Sequence, residues 1–524
     1  MESSTLRHGL KSEFIMPICI CIAVLSRVIF WLYTERIWED ALISLTAARN
    51  VWLGEGLTHH AAEPRVHSFT SALGQLILIL GEYFNSGLLL MRLTSLITAA
   101  GTICFAYKSW RKLELPPVFF WFVGLYLSLD HLQIFFGMSG METQIATMLL
   151  MAGLYCLLSE KWLPLGISLG LALICRPEFC IWIGAVGLVM LIRHPRHILI
   201  AMAGGALTSL PWIIFATLYY GSPVPHTVLV KSGISGHSRF WTQWGSEWWI
   251  DAVLNRFSAT WKTMAPFKQY WFVGNAPIPD DILKLIVALV VALALAGSVF
   301  SCRINRKMAA PIIATVLFFT YIIIFRVNTY FMWYLPPFMA LLMFLCGIGF
   351  ASIASVWGGQ RQVAVIALLL TLPYASHLPM TLYLDKMVQQ EIENNVRSKV
   401  GIALNQLMKA DDTVVLEPLG YIGWYAQNKT IFDWPGLGSP IAFAAAKKTR
   451  RMSGLIQELN PTFLVLRPRE LTNCQNEIPE IMQKYDVVDR ITARDGLRLS
   501  RYGLLYNILG DSDFSILARH PKNE

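Results

Sequence analysis

Along this chain, long apolar runs alternate with short polar segments. The first run, residues 14–33, is long enough to cross a hydrocarbon core of about 30 Å at 1.5 Å per residue. Helical apolar runs follow at 69–83, 87–107, 116–129, 142–158, 163–174, 179–192, 198–219, 282–301, 309–325, 333–356 and 363–384. The pattern predicts a mainly α, polytopic membrane protein with roughly eleven transmembrane helices. Loop charge sets the expected orientation. Arg7 and Lys11 place the N-terminus in the cytoplasm, and basic clusters at Lys108/Arg111/Lys112, Lys161, Arg193/Arg196, Arg303/Arg306/Lys307 and Arg361 mark further cytoplasmic loops. Loops 34–68, 130–141, 176–178, 221–281 and 326–332 then face outward. An odd number of crossings must separate the first outer loop from the basic cluster at 108–112. One of the runs 69–83 and 87–107 is therefore expected to be interfacial or re-entrant, and the shorter first run is the better choice. Runs 163–174 and 179–192 are also short, which leaves room for a cavity opening outward.

Beyond residue 384 charges become dense and apolar runs shrink to strand length. Segments 413–416, 429–432 and 462–466 read as buried strands, alternating with helical segments near 389–409, 441–458 and 477–483. The expected organisation is a transmembrane domain over 1–385, with outer loops 34–68 and 221–281, and a small extracytoplasmic α/β domain over 386–524. No glycine-rich phosphate loop opens a helix there, so no nucleotide is assigned.

Composition agrees. Apolar residues make up 55% of the 524, charged residues 15%, and the mean hydropathy is +0.49. A soluble chain of this length would leave too much apolar surface in water, whereas lipid-facing side chains need no polar partner. The net charge of +9 sits between apolar spans rather than on one face, so it fits cytoplasmic loops and not nucleic-acid binding. Seven of nine cysteines lie in or beside apolar runs as small hydrophobes. Cys302 sits in a basic loop, and Cys474 is alone in the C-terminal domain, where it can form no internal disulfide. The first run lacks a small-residue cleavage site and reads as a retained helix, not a signal peptide. Trp241, Trp244 and Trp248 in the loop 221–281 have spacing for one face of an interfacial helix.

Ionisable residues gather at the outer ends of the helices. The first outer loop carries E-D-A-L-I-S-L-T-A-A-R-N from Glu39, then A-E-P-R-V-H-S-F-T-S from Ala62. Adjacent carboxylates repel, so one of Glu39 and Asp40 is expected to hold its proton more tightly and to suit a general base. Against this, Asp40 also suits the N-cap of a helix running to Val51. Glu142, Arg176, Glu178, His226, Lys231 and Arg326 also face outward. Taken singly, Glu142 suits a helix cap, Arg176 and Glu178 suit mutual pairing, and Lys231 and Arg326 suit snorkelling. Together the basic groups suit a lipid-linked phosphate.

Six segments carry a family likeness: Glu39-Asp40 through Arg49-Asn50 to Gly54-Glu55-Gly56-Leu57; Arg65-Val66-His67-Ser68-Phe69-Thr70-Ser71; Ser139-Gly140-Met141-Glu142-Thr143; Arg176-Pro177-Glu178; Pro225-His226-Thr227 through Lys231; and Asp433 through Gly436-Leu437. In this order and spacing they resemble the multi-spanning glycosyltransferases of the C-type (GT-C) fold, and within them the bacterial arabinofuranosyltransferase group. The likeness runs from Glu39 to about Leu466. It departs where Glu39 stands for the commoner Asp, His67-Ser68 for Glu-Gly, and His226 for Asn.

The resemblance implies an enzyme at the outer face of a bacterial inner membrane, with a cytoplasmic N-terminus and an extracytoplasmic C-terminal domain. It would move a sugar, such as the pentofuranose arabinofuranose, from a polyprenyl-phosphate donor to a glycan, lipid or pilin acceptor. The acidic pair Glu39/Asp40 implies the base. Arg49, Arg65, His67, Glu142, Arg176, Glu178, His226, Lys231 and Arg326 are the expected substrate-binding residues. No metal or other cofactor is expected, since cationic side chains can neutralise a leaving monophosphate. A lipid or sugar transporter (flippase) is the alternative; it predicts an internal repeat and midplane charges, whereas the charges here lie at helix ends. A third reading, an assembly protein without activity, sits poorly with the retained acidic pair.

Overall fold

The computed structural model describes residues 14–115, 120–233, 261–266, 279–325, 332–357, 378–493 and 511–520. The chain forms two compact units. One comprises Met1–Tyr33, Met91–Trp212 and Ser246–Thr381; the other comprises Thr34–Leu90, Ile213–Gly245 and Leu382–Glu524. Trp241, Trp244, Trp248 and most of the last apolar run, 363–384, lie outside the described residues.

Among the described residues, six helices are long and apolar enough to cross a membrane: Ile15–Thr34, Gly87–Lys112, Pro195–Tyr220, Asp280–Ile304, Arg306–Ile323 and Met332–Ala354. Thr143–Leu158 and Trp162–Cys175 are shorter apolar helices. Ala72–Glu82, capped by the Ser71 side chain accepting from the Gly74 N–H, has 11 residues. At 1.5 Å per residue it reaches about 16 Å, half the hydrocarbon thickness, so it cannot span. The structure also shows a helix, His131–Met138, where an outer loop was expected. Asp130 starts it by accepting from the Gln133 N–H, and all eight of its residues are buried.

The first unit has two chemically distinct ends. At one end Lys307 pairs with Glu160 at 2.6 Å, Trp162 stacks on His197 with centroids 5.2 Å apart, and Lys161 lies 5.2 Å and Lys108 5.9 Å from the Tyr155 ring centroid. Four of the basic loops thus converge. At the opposite ends of the same helices, Arg176 pairs with Glu142 and Glu178, each at 3.0 Å. In the apolar interior Arg27 is fully buried, and its guanidinium donates to the Ser128 carbonyl at 3.2 Å and to Gln144 Oε1 at 2.7 Å. These acceptors offset the cost of a buried cation. Asp280–Ile304 and Leu335–Trp357 approach backbone to backbone: a Cβ at Gly297 would collide with the Leu345 carbonyl, and one at Gly349 with that of Leu293. Small residues permit such contact between apolar helices.

The second unit is built on a five-stranded sheet: β1 (Thr413–Leu416), β2 (Thr430–Asp433), β3 (Phe463–Leu466), β4 (Tyr485–Thr492) and β5 (Asp513–Arg519), in the order β2-β1-β3-β5-β4. β1 pairs in parallel with β2 and β3, while β5 is antiparallel to β3 and β4. Successive strand residues face opposite sides. Val414 and Leu416 join Val396, Val400, Leu404 and Ile43 in one core; Val415 joins Ala442, Leu455 and Leu464 in the other. Ile43 belongs to the first-loop helix. The sequence boundary at 385 therefore divides residues that the fold joins, since the C-terminal segment shares its compact unit with 34–90 and 213–245.

Candidate functional site

The first-loop helix, Glu39–Trp52, starts after Trp38, whose backbone is extended and which makes no side-chain cap. Asp40 is therefore in the first turn and not at the cap position. Its negative charge there is favourable to the helix dipole. Neighbouring residues on a helix diverge by about 100°, so Glu39 and Asp40 do not share one environment. Glu39 is held by the C-terminal residues. Its Oε1 accepts from the Gly420 N–H, and its Oε2 accepts from the Tyr421 N–H at 3.3 Å and from Arg397 Nη1 at 3.2 Å. A Cβ at Gly420 would strike the Glu39 carbonyl. Burial pushes the Glu39 carboxyl up to about 7, Arg397 opposes the rise and Glu393 adds to it. Glu39 thus holds its proton more tightly than an ordinary carboxyl, chiefly because it is buried. Asp40 is half-buried.

Further along this helix, the Arg49 guanidinium lies 4.2 Å from the Trp424 ring centroid and lines a cavity of about 170 Å³. Arg65 is exposed, with its guanidinium 4.6 Å from the Tyr219 ring centroid. His67 is buried and stacks on Tyr220 at 5.0 Å, with the rings 6° apart. Burial, then His226, pushes His67 down to about 3. His226 links the same loop to the C-terminal residues: its backbone N–H donates to the His67 carbonyl at 3.0 Å, and its Nε2 lies 3.0 Å from the Gly436 carbonyl. Burial lowers its pKa. Lys231 is half-buried on the His226–Gly233 helix. Residues Glu39, Asp40, Arg49, Arg65, His67, His226 and Lys231 thus belong to one compact unit. Glu142, Arg176 and Glu178 belong to the other. Glu142 sits at the start of its helix but makes no side-chain cap hydrogen bond; it pairs with Arg176 instead. Arg176 is 1% exposed, flanked by its two carboxylates, and lies 5.3 Å from the Tyr334 ring centroid. Arg326 lies outside the described residues.

Two crystal structures of ArnT from Cupriavidus metallidurans share the architecture. The one bound to undecaprenyl phosphate matches with a TM-score of 0.54 at 10% identity, over 96% of this chain and 98% of that one. The apo structure matches with a TM-score of 0.53 at 11% identity, over 96% and 99%. The chain has the GT-C fold. It is a multi-pass membrane protein with a small C-terminal sheet, as the resemblance implied. A family model described as "Domain of unknown function (DUF8728)" matches residues 386–516. The terminal beta-(1->2)-arabinofuranosyltransferase of Corynebacterium glutamicum is 26% identical over 259 residues, covering 42% of this chain. The match spans 36% of that relative's length.

Within this GT-C chain, the sequence reading passed over two acids. Glu63 is 7% exposed; its Oε2 accepts from Ser439 Oγ at 2.7 Å and from the Ile441 N–H at 3.3 Å. Burial pushes it up to about 7. Asp433, 1% exposed, accepts from the Leu437 N–H at 2.5 Å and the Gly438 N–H at 2.9 Å. Burial pushes it up to about 6, against those backbone donors. Asp433 opens a segment that carried the family likeness, and Glu63 stands two residues before another, at Arg65; that was the available signal. The partners of Glu63 lie more than 370 residues further along the chain and are invisible to local pattern, whereas those of Asp433 are four and five residues on.

Proposed function

We propose that the chain is a membrane glycosyltransferase that moves a sugar from a polyprenyl-phosphate donor to a cell-envelope acceptor. The match to ArnT along 96% of the chain carries this reading, because one of those structures holds undecaprenyl phosphate. The corynebacterial relative favours a pentofuranose such as arabinofuranose as the sugar. The acceptor is a glycan, lipid or pilin, and the enzyme lies in the bacterial inner membrane.

Asp40 is the general base of this reading. Both Glu39 oxygens are engaged by backbone N–H groups and Arg397, so Glu39 would have to give up one of these donors to meet an acceptor hydroxyl. The acceptor hydroxyl oxygen attacks the anomeric carbon and forms the new C–O bond as its proton passes to Asp40. The bond from the anomeric carbon to the phosphate oxygen breaks on the opposite side. Polyprenyl phosphate departs with that electron pair, and the configuration inverts. Arg65, exposed above Tyr219, and Lys231 are the cations suited to the leaving phosphate. Arg176 has its charge offset by Glu142 and Glu178 and instead holds the ends of its helices together.

Mass analysis of surface glycans, lipids and pilins from a strain lacking this chain tests the reading. The expected result is the loss of a pentose from one envelope component, restored by the wild-type chain. An unchanged profile in every component would overturn it.

A further inference from the structure

A cavity of about 170 Å³ opens in the second unit between the Glu39–Trp52 helix, the loop that follows it, and the segment leading into β2. A cavity near 150 Å³ accommodates a benzene-sized ring, so this one has room for a single sugar ring. Two cations line it, Arg49 and Lys429, against one acid, Glu55. Lys429 spends one donor on the Met408 carbonyl at 2.6 Å and keeps two.

His59 and His60 complete the wall and are 3% and 6% exposed. His59 Nδ1 lies 3.1 Å from His60 Nε2, while His59 Nε2 and Arg49 Nε are buried with no hydrogen-bond partner among the described residues. Burial lowers both histidines, His60 to about 4. They are therefore neutral at pH 7, and a neutral imidazole can both donate and accept. Asn50 fixes the loop that presents them, donating from Nδ2 to the Thr58 and His59 carbonyls at 3.0 and 3.1 Å. Gly423 leaves the space open, since a Cβ there would lie 3.1 Å from His59 Cε1. Such groups left unpaired inside a structured cavity are costly unless a ligand satisfies them.

We propose that this cavity binds a monosaccharide unit bearing a carboxylate, with the acid on Arg49 and Lys429 and the hydroxyls on His59, His60 and the backbone of their loop. Among the lining residues the cations outnumber the acid by one; Glu82, which faces Arg49 from outside the lining, offsets part of the Arg49 charge, so Lys429 with its two remaining donors is the main hold on an anion. The neutral imidazole pair selects hydroxyls rather than a second charge. Arg49 stands nine residues from Asp40, a rise of about 13 Å along the helix, so the bound unit is not the group that reacts at Asp40. Resting on the glycosyltransferase reading, it is an acidic residue of the acceptor glycan, held away from the hydroxyl that is glycosylated.

The test is direct binding to the detergent-purified full chain, followed by ligand-observed NMR. The probes are glucuronate, galacturonate, glucose and inorganic phosphate. A uronate is expected to bind, with glucose and phosphate each about tenfold weaker or more. Lys429→Met is expected to weaken the uronate about tenfold. Ala62→Trp at the rim is expected to abolish binding by filling the cavity, with unfolding temperatures near wild type. Asp40→Asn is expected to keep uronate binding, so that this result and a failure of the transferase reading stay distinguishable. No uronate binding, phosphate binding as tight as uronate, or unchanged affinity in both cavity variants overturns the proposal.

Discussion

At the scale of single residues, the adjacency of the two acids was legible and the environment that holds Glu39 was not. Glu39 and Asp40 read as one adjacent dyad, but the environment of Glu39 is set by Gly420, Tyr421 and Arg397, more than 350 residues away. Asp40→Asn is expected to lower sugar transfer by about 10²–10⁴-fold, the usual contribution of a positioned base. Glu39→Gln keeps one oxygen for the Gly420 N–H and replaces the oxygen that serves Tyr421 and Arg397 with an NH2 group. It is expected to keep turnover within about tenfold of wild type while costing about 1–3 kcal/mol of stability through its lost bond to Arg397. Transfer assays with a polyprenyl-phosphate sugar, paired with unfolding in detergent, separate the two; wild-type turnover in Asp40→Asn sinks the assignment. The buried acids also carry a pH signature. Glu39 and Glu63 rise from 4.5 to about 7 and Asp433 from 3.8 to about 6. The folded state then binds more protons than the unfolded state between those values. By linkage, these three acids contribute stability that is fully present below about pH 4 and is lost as pH rises towards 7, while the buried histidines His59, His60 and His67, pushed down, act in the opposite sense up to about pH 6.5. Glu63→Gln removes one acid's share, so its unfolding temperature relative to wild type is expected to rise between pH 4 and pH 7. A fall in that difference contradicts the sign.

At the scale of elements, the three strands with continuous apolar sequence were readable: 413–416 coincides with β1, and 429–432 and 462–466 overlap β2 and β3. β4 was not, because it is an edge strand exposed at most positions, and exposure removes the alternation that marks a strand. The expected helix 441–458 is two, Pro440–Thr449 and Met452–Leu459, divided at Arg450, which holds φ +54°. Below the sheet, sequence shows a row of ordinary charges where the fold has a hub. Arg397 touches Glu39, Glu393 at 2.9 Å and Asp511, and Asp511 also meets Arg467. Removing one partner from a buried ion network leaves charge uncompensated and costs about 3–5 kcal/mol. Arg397→Met is therefore expected to lower the unfolding temperature far more than Lys448→Met, whose pair with Glu458 is exposed. Equal shifts would show that the hub carries no special weight.

At the scale of the whole molecule, hydropathy located six helices, among the described residues, that are both long and apolar enough to cross a membrane, and charge predicted their direction. The convergence of Lys108, Lys161 and Lys307 around Tyr155, Trp162 and Glu160 shows that loops distant in sequence share one end of the first unit. Glu142, Arg176 and Glu178 occupy the other ends of the same helices. Lys and Arg are retained on the cytoplasmic side of short loops, so the proposed topology puts the Lys307 end inside and the Arg176 end outside. Gly221 follows the helix that begins beside the basic residue Arg196, and it therefore lies outside as well. An alkaline phosphatase fused after Gly221 is expected to be active, and one fused after Arg306 inactive. Both results follow from one helix direction, so a reversed pattern would invert the whole molecule and move Asp40 to the cytoplasmic face. A polyprenyl-phosphate donor would then have to be presented on the inner leaflet.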